Sequence, residues 1–136
     1  MKRAAAALAG LAAVAMGACG GEARDLFLVT RSGDVPGARL TLRVTDDGRA
    51  SCNGRPLVEI TSAQLIAARE SERDVEPTAK AQLRLAAGAQ PVFSYRLRTE
   101  EGGVAWSDDS LRQPAVLFKL AKLTRDVAKG PCHLAR

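Results

Sequence analysis

Histidine occurs once in these 136 residues, at His133, within the last four positions. A general base or a metal ligand acts with convergent partners, and chain ends are mobile, so His133 reads as a solvent-exposed or structural residue. Also missing are a Ser-His-Asp order with a GxSxG elbow, the GxxxxGK[ST] and GxGxxG loops that hold phosphates, and any CxxC pair suited to zinc. Gly33 and Gly37 do not form a phosphate loop. No basic run is interleaved with aromatics, so no nucleic-acid partner is expected. Aromatic residues make up 4% of the chain. The expected core is therefore mainly Leu and Val, with Phe27, Phe93, Tyr95, Trp106 and Phe118 as its larger pieces.

Paired carboxylates are present, but in positions that suit catalysis poorly. Asp46/Asp47, Glu100/Glu101 and Asp108/Asp109 are each adjacent in sequence, and neighbours on a strand point to opposite faces. They read as turn and helix-start residues, and Asp46-Asp47-Gly48 supplies too few ligands for calcium. The expectation is a non-enzyme with no catalytic residue, no metal and no cofactor.

The N-terminus carries the strongest positive signal. Lys2 and Arg3 precede a run, residues 4–18, made of Ala, Leu, Val, Met and Gly. A bilayer span takes about 20 apolar residues, so the run reads as the core of a cleaved export signal, residues 1–18. It ends in Met16-Gly17-Ala18-Cys19, which resembles the bacterial lipobox: small side chains admit the peptidase, and the thiol of Cys19 takes a diacylglyceryl group. The rival is ordinary cleavage after Ala18, giving a secreted protein, but that peptidase prefers a small residue where Met16 stands. Two acyl chains hold a protein on a bilayer durably where one does not. Residues 19–24 then form the lipidated Cys and a short tether, and residues 25–136 one domain, since this length suits one core and not two. The expected location is the outer face of the cell membrane. Removing Lys2 and Arg3 leaves eighteen basic against fifteen acidic residues, a net of +3, compatible with an anionic surface.

With Cys19 lipidated, Cys52 and Cys132 remain as a pair in an oxidising compartment, where a disulfide is expected; two free buried thiols are the alternative.

Hydrophobic periodicity outlines the domain. Residues 25–31 are rich in strand formers, and Leu40, Leu42 and Val44 alternate with Thr41, Arg43 and Thr45, the pattern of a sheet with one wet face. Asp46-Asp47-Gly48 is a turn, with Arg49–Asn53 a short strand or strand end. Thr61 and Gln64 have capping-box spacing, and Ile60 and Leu65 the staple positions; this helix is expected to end near Val75, before Pro77. Leu83 and Leu85 suggest a strand within an Ala-rich stretch that also reads as a loop. Phe93, Tyr95 and Leu97 face away from Ser94, Arg96 and Arg98, and Glu100–Gly103 turns the chain back through Val104 and Trp106. Pro114 opens a second helix with Val116, Leu120, Leu123 and Val127 on one stripe, Asp108 and Asp109 near its positive end and Lys129 near its negative end. The expected fold is α+β, a two-layer β-β-α-β-β-α arrangement with an antiparallel four-stranded sheet and two helices on one face. Ser32, Gly33, Asp34, Val35, Pro36 and Gly37 connect the first two strands. They form the candidate partner-binding loop, because protruding loops on rigid scaffolds often carry contacts.

The stretches Asp25–Thr45, the following Asp-Asp-Gly, Cys52-Asn53-Gly54 and residues 92–102 resemble small lipoproteins of high-GC actinobacteria. That resemblance implies an anchored domain and transfers no activity. The hairpin–helix–hairpin–helix order, with Arg31-Ser32-Gly33 and Gly37 in the first hairpin, is also similar to emfourin-like proteins, small inhibitors of thermolysin-type metallopeptidases. This sequence departs from them at Asp34, Val35 and Pro36 and adds the cysteine pair. The expected partners are the membrane, through the lipid, and a surface protein or peptidase.

Overall fold

The computed structural model describes residues 20–136. The signal run and Cys19 lie outside the described residues. The remaining chain is α+β, with strands β1 (Asp25–Ser32), β2 (Leu40–Thr45), β3 (Arg49–Cys52) and β4 (Val58–Glu59), helix α1 (Ser62–Lys80), strands β5 (Ser94–Arg98) and β6 (Gly103–Ser107), and helix α2 (Ala115–Lys129). The sheet has six strands in the order β4-β3-β2-β1-β5-β6, all named pairs antiparallel. The expected four-stranded sheet is thus enlarged by β3 and β4. Arg49–Cys52 folds back on β2 through the Asp46-Asp47-Gly48 turn, where Gly48 takes a φ of 84°. The two residues of β4 then pair with Arg49 and Ala50. A two-residue strand is too short to show alternation, so the sequence carried no sign of it. On the opposite edge, Leu83–Leu85 lies along β6 through a single parallel bridge, Arg84 to Ala105. That is the strand-like element suggested by Leu83 and Leu85, reduced to one bridge.

Period-2 alternation sorts the strands into an inner and an outer face. Phe27, Val29, Leu40, Leu42, Val44, Tyr95, Leu97, Val104 and Trp106 are buried and join one core with α1 and α2. A bulge between Asp25 and Phe27 adds one residue to β1, and Leu26 and Phe27 are both buried there. α2 contributes the expected Val116, Leu120, Leu123 and Val127, with Leu117 beside them. Phe118 is not a core residue: it is 58% exposed. Two positions from both Val116 and Leu120 is about 200° of helical rotation, which turns its ring away from the stripe.

α1 begins as expected, with Thr61 Oγ1 accepting from the Gln64 backbone N–H at 3.1 Å and Gln64 Oε1 accepting from the Thr61 N–H at 2.9 Å. It does not stop before Pro77 but continues to Lys80. Proline removes a hydrogen bond to the carbonyl four residues back, here that of Arg73. Both Arg73 and Pro77 are exposed, so water can take that carbonyl while Val75 and Ala79 keep the buried stripe going. The end of α1 seats on the β5–β6 turn, where Gly102 has a φ of 151° and a Cβ would lie 2.2 Å from the Ala79 oxygen. α2 has Pro114 as its N-cap and no acidic residue in its first turn. Asp108 and Asp109, expected beside its positive end, instead cap the preceding loop: Asp108 accepts from the Val92 N–H and Asp109 from those of Gly88 and Gln90.

Candidate functional site

Cys52 closes β3 and Cys132 follows the Gly130-Pro131 stop of α2. Their Sγ atoms are bonded, with the Cα atoms 6.2 Å apart and 80 positions between the two in sequence. The placement is that expected of a staple between the end of α2 and the end of the sheet. Asn53 (φ 55°) and Gly54 (φ 72°) then turn the chain, and Asn53 prolongs the ladder by accepting from the Thr41 N–H at 2.9 Å. A cavity of about 240 Å³ beside the disulfide is lined by Arg55, Pro56, Val58, Pro131 and His133. His133 is exposed, and no group of three or more potential metal-ligating side chains converges among the described residues.

The Ser32–Gly37 connection is less free than a protruding loop. Arg31 has the inward parity of Phe27 and Val29 and is 3% exposed. Its guanidinium donates from Nε to the Ala38 oxygen at 2.8 Å and from Nη2 to the oxygens of Gly37 at 3.2 Å and Arg136 at 3.1 Å. It also lies 5.0 Å from the centre of the Phe93 ring. Burial lowers its pKa from the ordinary arginine value, while Tyr95 opposes that and Arg136 adds to it. Gly33 passes so close to the Val92 oxygen that a Cβ would meet it at 2.3 Å. Ser32 is itself the last residue of β1 and pairs with Ser94. The base of the loop is therefore braced, and its exposed part is the tip at Asp34, Pro36 and Gly37, with Val35 half-buried and accepting from the Ala38 N–H.

The carboxylate pairs hold structure together. Asp46 accepts from Arg69 at 2.8 Å, Asp47 from Arg49 at 2.7 Å and Thr45 at 2.6 Å, and Glu101 lies 3.4 Å from Lys80. Hydrogen bonds from Arg49 and Thr45 hold the Asp47 carboxyl below its usual pKa.

The second candidate surface is the outer face of the sheet, which neither helix covers. Register places Leu28 opposite Arg43 and Arg98, Thr30 opposite Thr41 and Arg96, and Arg96 opposite Ala105, the bridge partner of Arg84. Arg43 is neutralised there by Glu22 at 2.8 Å and Asp25 at 2.6 Å. Arg84, Arg96 and Arg98 form no ion pair with the described residues. Two adjoining open depressions, of about 670 and 530 Å³, share Leu28, Arg98, Thr99 and Glu100 and run along this face to the start of β1. The alternation of Ser94, Arg96 and Arg98 with Tyr95 and Leu97 already signalled an outward basic row. What the sequence could not show is that Glu22 and Asp25 pair with Arg43 on this face.

No protein-family model, no curated protein and no solved structure matches this chain. Among the described residues, no helix is long and apolar enough to cross a membrane.

Proposed function

We propose that the chain is an exported, non-catalytic binding module, held at the outer face of the cell membrane by a diacylglyceryl group on Cys19. The observation that carries the reading is the Cys52–Cys132 bond. Such bonds persist in oxidising compartments outside the cytoplasm, and the bond leaves Cys19, at the end of an export-signal pattern, as the single thiol for lipidation. The domain offers a braced loop and an uncovered basic face as contact surfaces, and its acidic pairs serve turns, loops and ion pairs, which supports binding over catalysis. Mass spectrometry of the membrane fraction tests the anchor. The expected N-terminal peptide begins at Cys19 and carries a diacylglyceryl mass, and Cys19→Ala leaves the protein unprocessed or released to the medium. A mature chain starting elsewhere, or starting at an unmodified Cys19, refutes the proposal.

A second reading, an emfourin-like peptidase inhibitor acting through Ser32–Gly37, is favoured by the bracing of that loop. A segment pre-organised by Arg31 gives up less conformational entropy on binding. The assay is residual activity of several thermolysin-type peptidases with the domain at micromolar concentration. Inhibition weakened by lengthening the loop at Pro36 is expected; full activity throughout disposes of the reading.

A further inference from the structure

The outer sheet face carries charge in a pattern that depends on where the tether runs. Glu22 reaches Arg43 with its carboxylate 2.8 Å from Nη2, on that face. Cys19 is three residues earlier, at most about 11 Å of extended chain away. The tether to an anchor at Cys19 would thus leave the domain on the side of the uncovered face. The anchor end of the face is where Arg98 stands, opposite Leu28 in the first half of β1, with Arg96 and then Arg84 beyond it across β5 and β6. Between them lie Thr30, Thr99 and Ala105, which bring no negative charge; Glu100 and Glu101, in the β5–β6 turn, are the acids that border them, and Glu101 lies 3.4 Å from Lys80.

We infer that this face lies flat against anionic lipid headgroups, with Arg84, Arg96 and Arg98 at the phosphates. The inference rests on Cys19 being the anchor for its geometry, though not for its charge. A basic side chain near an anionic bilayer contributes roughly 1 kcal/mol, about a fivefold gain in partitioning. The arginine fork fits phosphate oxygens in a bidentate manner. An acidic protein would satisfy the same charges, but it would have to bind a surface within reach of the bilayer itself. The lipid surface is the occupant the tether already brings there.

The test separates the face from the anchor. The unlipidated Cys19→Ser chain, expressed without residues 1–18 and with its disulfide intact, is floated with vesicles of phosphatidylcholine alone or with added phosphatidylglycerol. Binding to the anionic vesicles that falls as salt rises is expected. Arg96→Gln/Arg98→Gln lowers the partition coefficient about twenty-five-fold, while Arg112→Gln, outside the sheet, leaves it within about twofold. In parallel, the lipidated wild-type chain on the same vesicles is treated with phenylglyoxal and mapped by mass. Arg84, Arg96 and Arg98 are expected to be shielded on anionic vesicles and Arg112 to stay reactive. Equal binding to both vesicle types, or indifference to the double substitution, overturns the inference even if Cys19 proves lipidated. Three arginines equally reactive on both surfaces overturn it as well and leave an acidic protein as the occupant. If Cys19 carries no lipid, that appears separately, as a wild-type chain that fails to stay on neutral vesicles.

Discussion

Replacing Cys52 and Cys132 together by Ala lowers stability by about 4 kcal/mol on the chain-entropy model and the midpoint of thermal unfolding by roughly 10–20 °C. The bond joins residues 80 positions apart, so its loss frees most of the domain in the unfolded ensemble. Two local effects add to this. Cys52 and Cys132 are 2% and 6% exposed and belong to the core, so truncation leaves a void under the end of α2. Beyond the disulfide, that end is held by the Cys132 and Leu134 backbone bonds to Val127 and Ala128, a long contact from Arg55 to the Cys132 oxygen at 3.4 Å and the Arg31 bond to the Arg136 oxygen. Alanine is the better replacement, because serine would bury hydroxyls without partners. Calorimetry of the double variant and of the reduced wild type should agree within about 1 kcal/mol. A loss below about 1 kcal/mol would mean that the unfolded chain is already compact around these positions.

The strands were legible where one face is wet and the other dry. Leu40, Leu42 and Val44, and Tyr95 and Leu97, alternate because both helices lie on one side of the sheet and, among the described residues, neither helix covers the other side. The capping box at Thr61 and Gln64 was legible because it is local. The departures have long-range causes. Pro77 stays inside α1 because solvent can satisfy the Arg73 carbonyl and because Ala79 and Gly102 reward one more turn. Asp108 and Asp109 bind amides at positions 88–92, a partner set by the fold of the 86–92 stretch and invisible to spacing. Phe118 was assigned to the core by residue type, although the α2 stripe had already passed it over. As for contact surfaces, the parity of Arg96 and Arg98 was readable, but their freedom from ion pairs depends on Asp25 and Glu22 being drawn to Arg43. Arg31 is the instructive case: it shares the inward parity of Phe27 and Val29 in β1, and its charge gave no sign that it would be buried.

Arg31→Met is expected to cost about 3 kcal/mol and to loosen the Ser32–Gly37 loop. A buried guanidinium needs compensation, and here it comes from the main-chain oxygens of Ala38, Gly37 and Arg136 and from an aromatic face. Methionine fills much of the stem volume but donates nothing. The Ala38 oxygen, bonded in the interior, then loses its partner, at about 1–3 kcal/mol for an unsatisfied buried acceptor, and the partly exposed oxygens of Gly37 and Arg136 lose less because water reaches them. The contact with Phe93 contributes about another 1 kcal/mol. Arg31→Lys should recover little of this, since one ammonium cannot reproduce the fork that spans Ala38, Gly37 and Arg136. Urea unfolding measures the stability change, and native-state proteolysis or amide exchange at residues 33–38 measures the loop. If Arg31→Met matches the wild type within about 0.5 kcal/mol and residues 33–38 exchange no faster, the guanidinium does not brace the loop. The pre-organisation that favours an inhibitory role for it would then be lost, while the outer face and its arginines would be untouched.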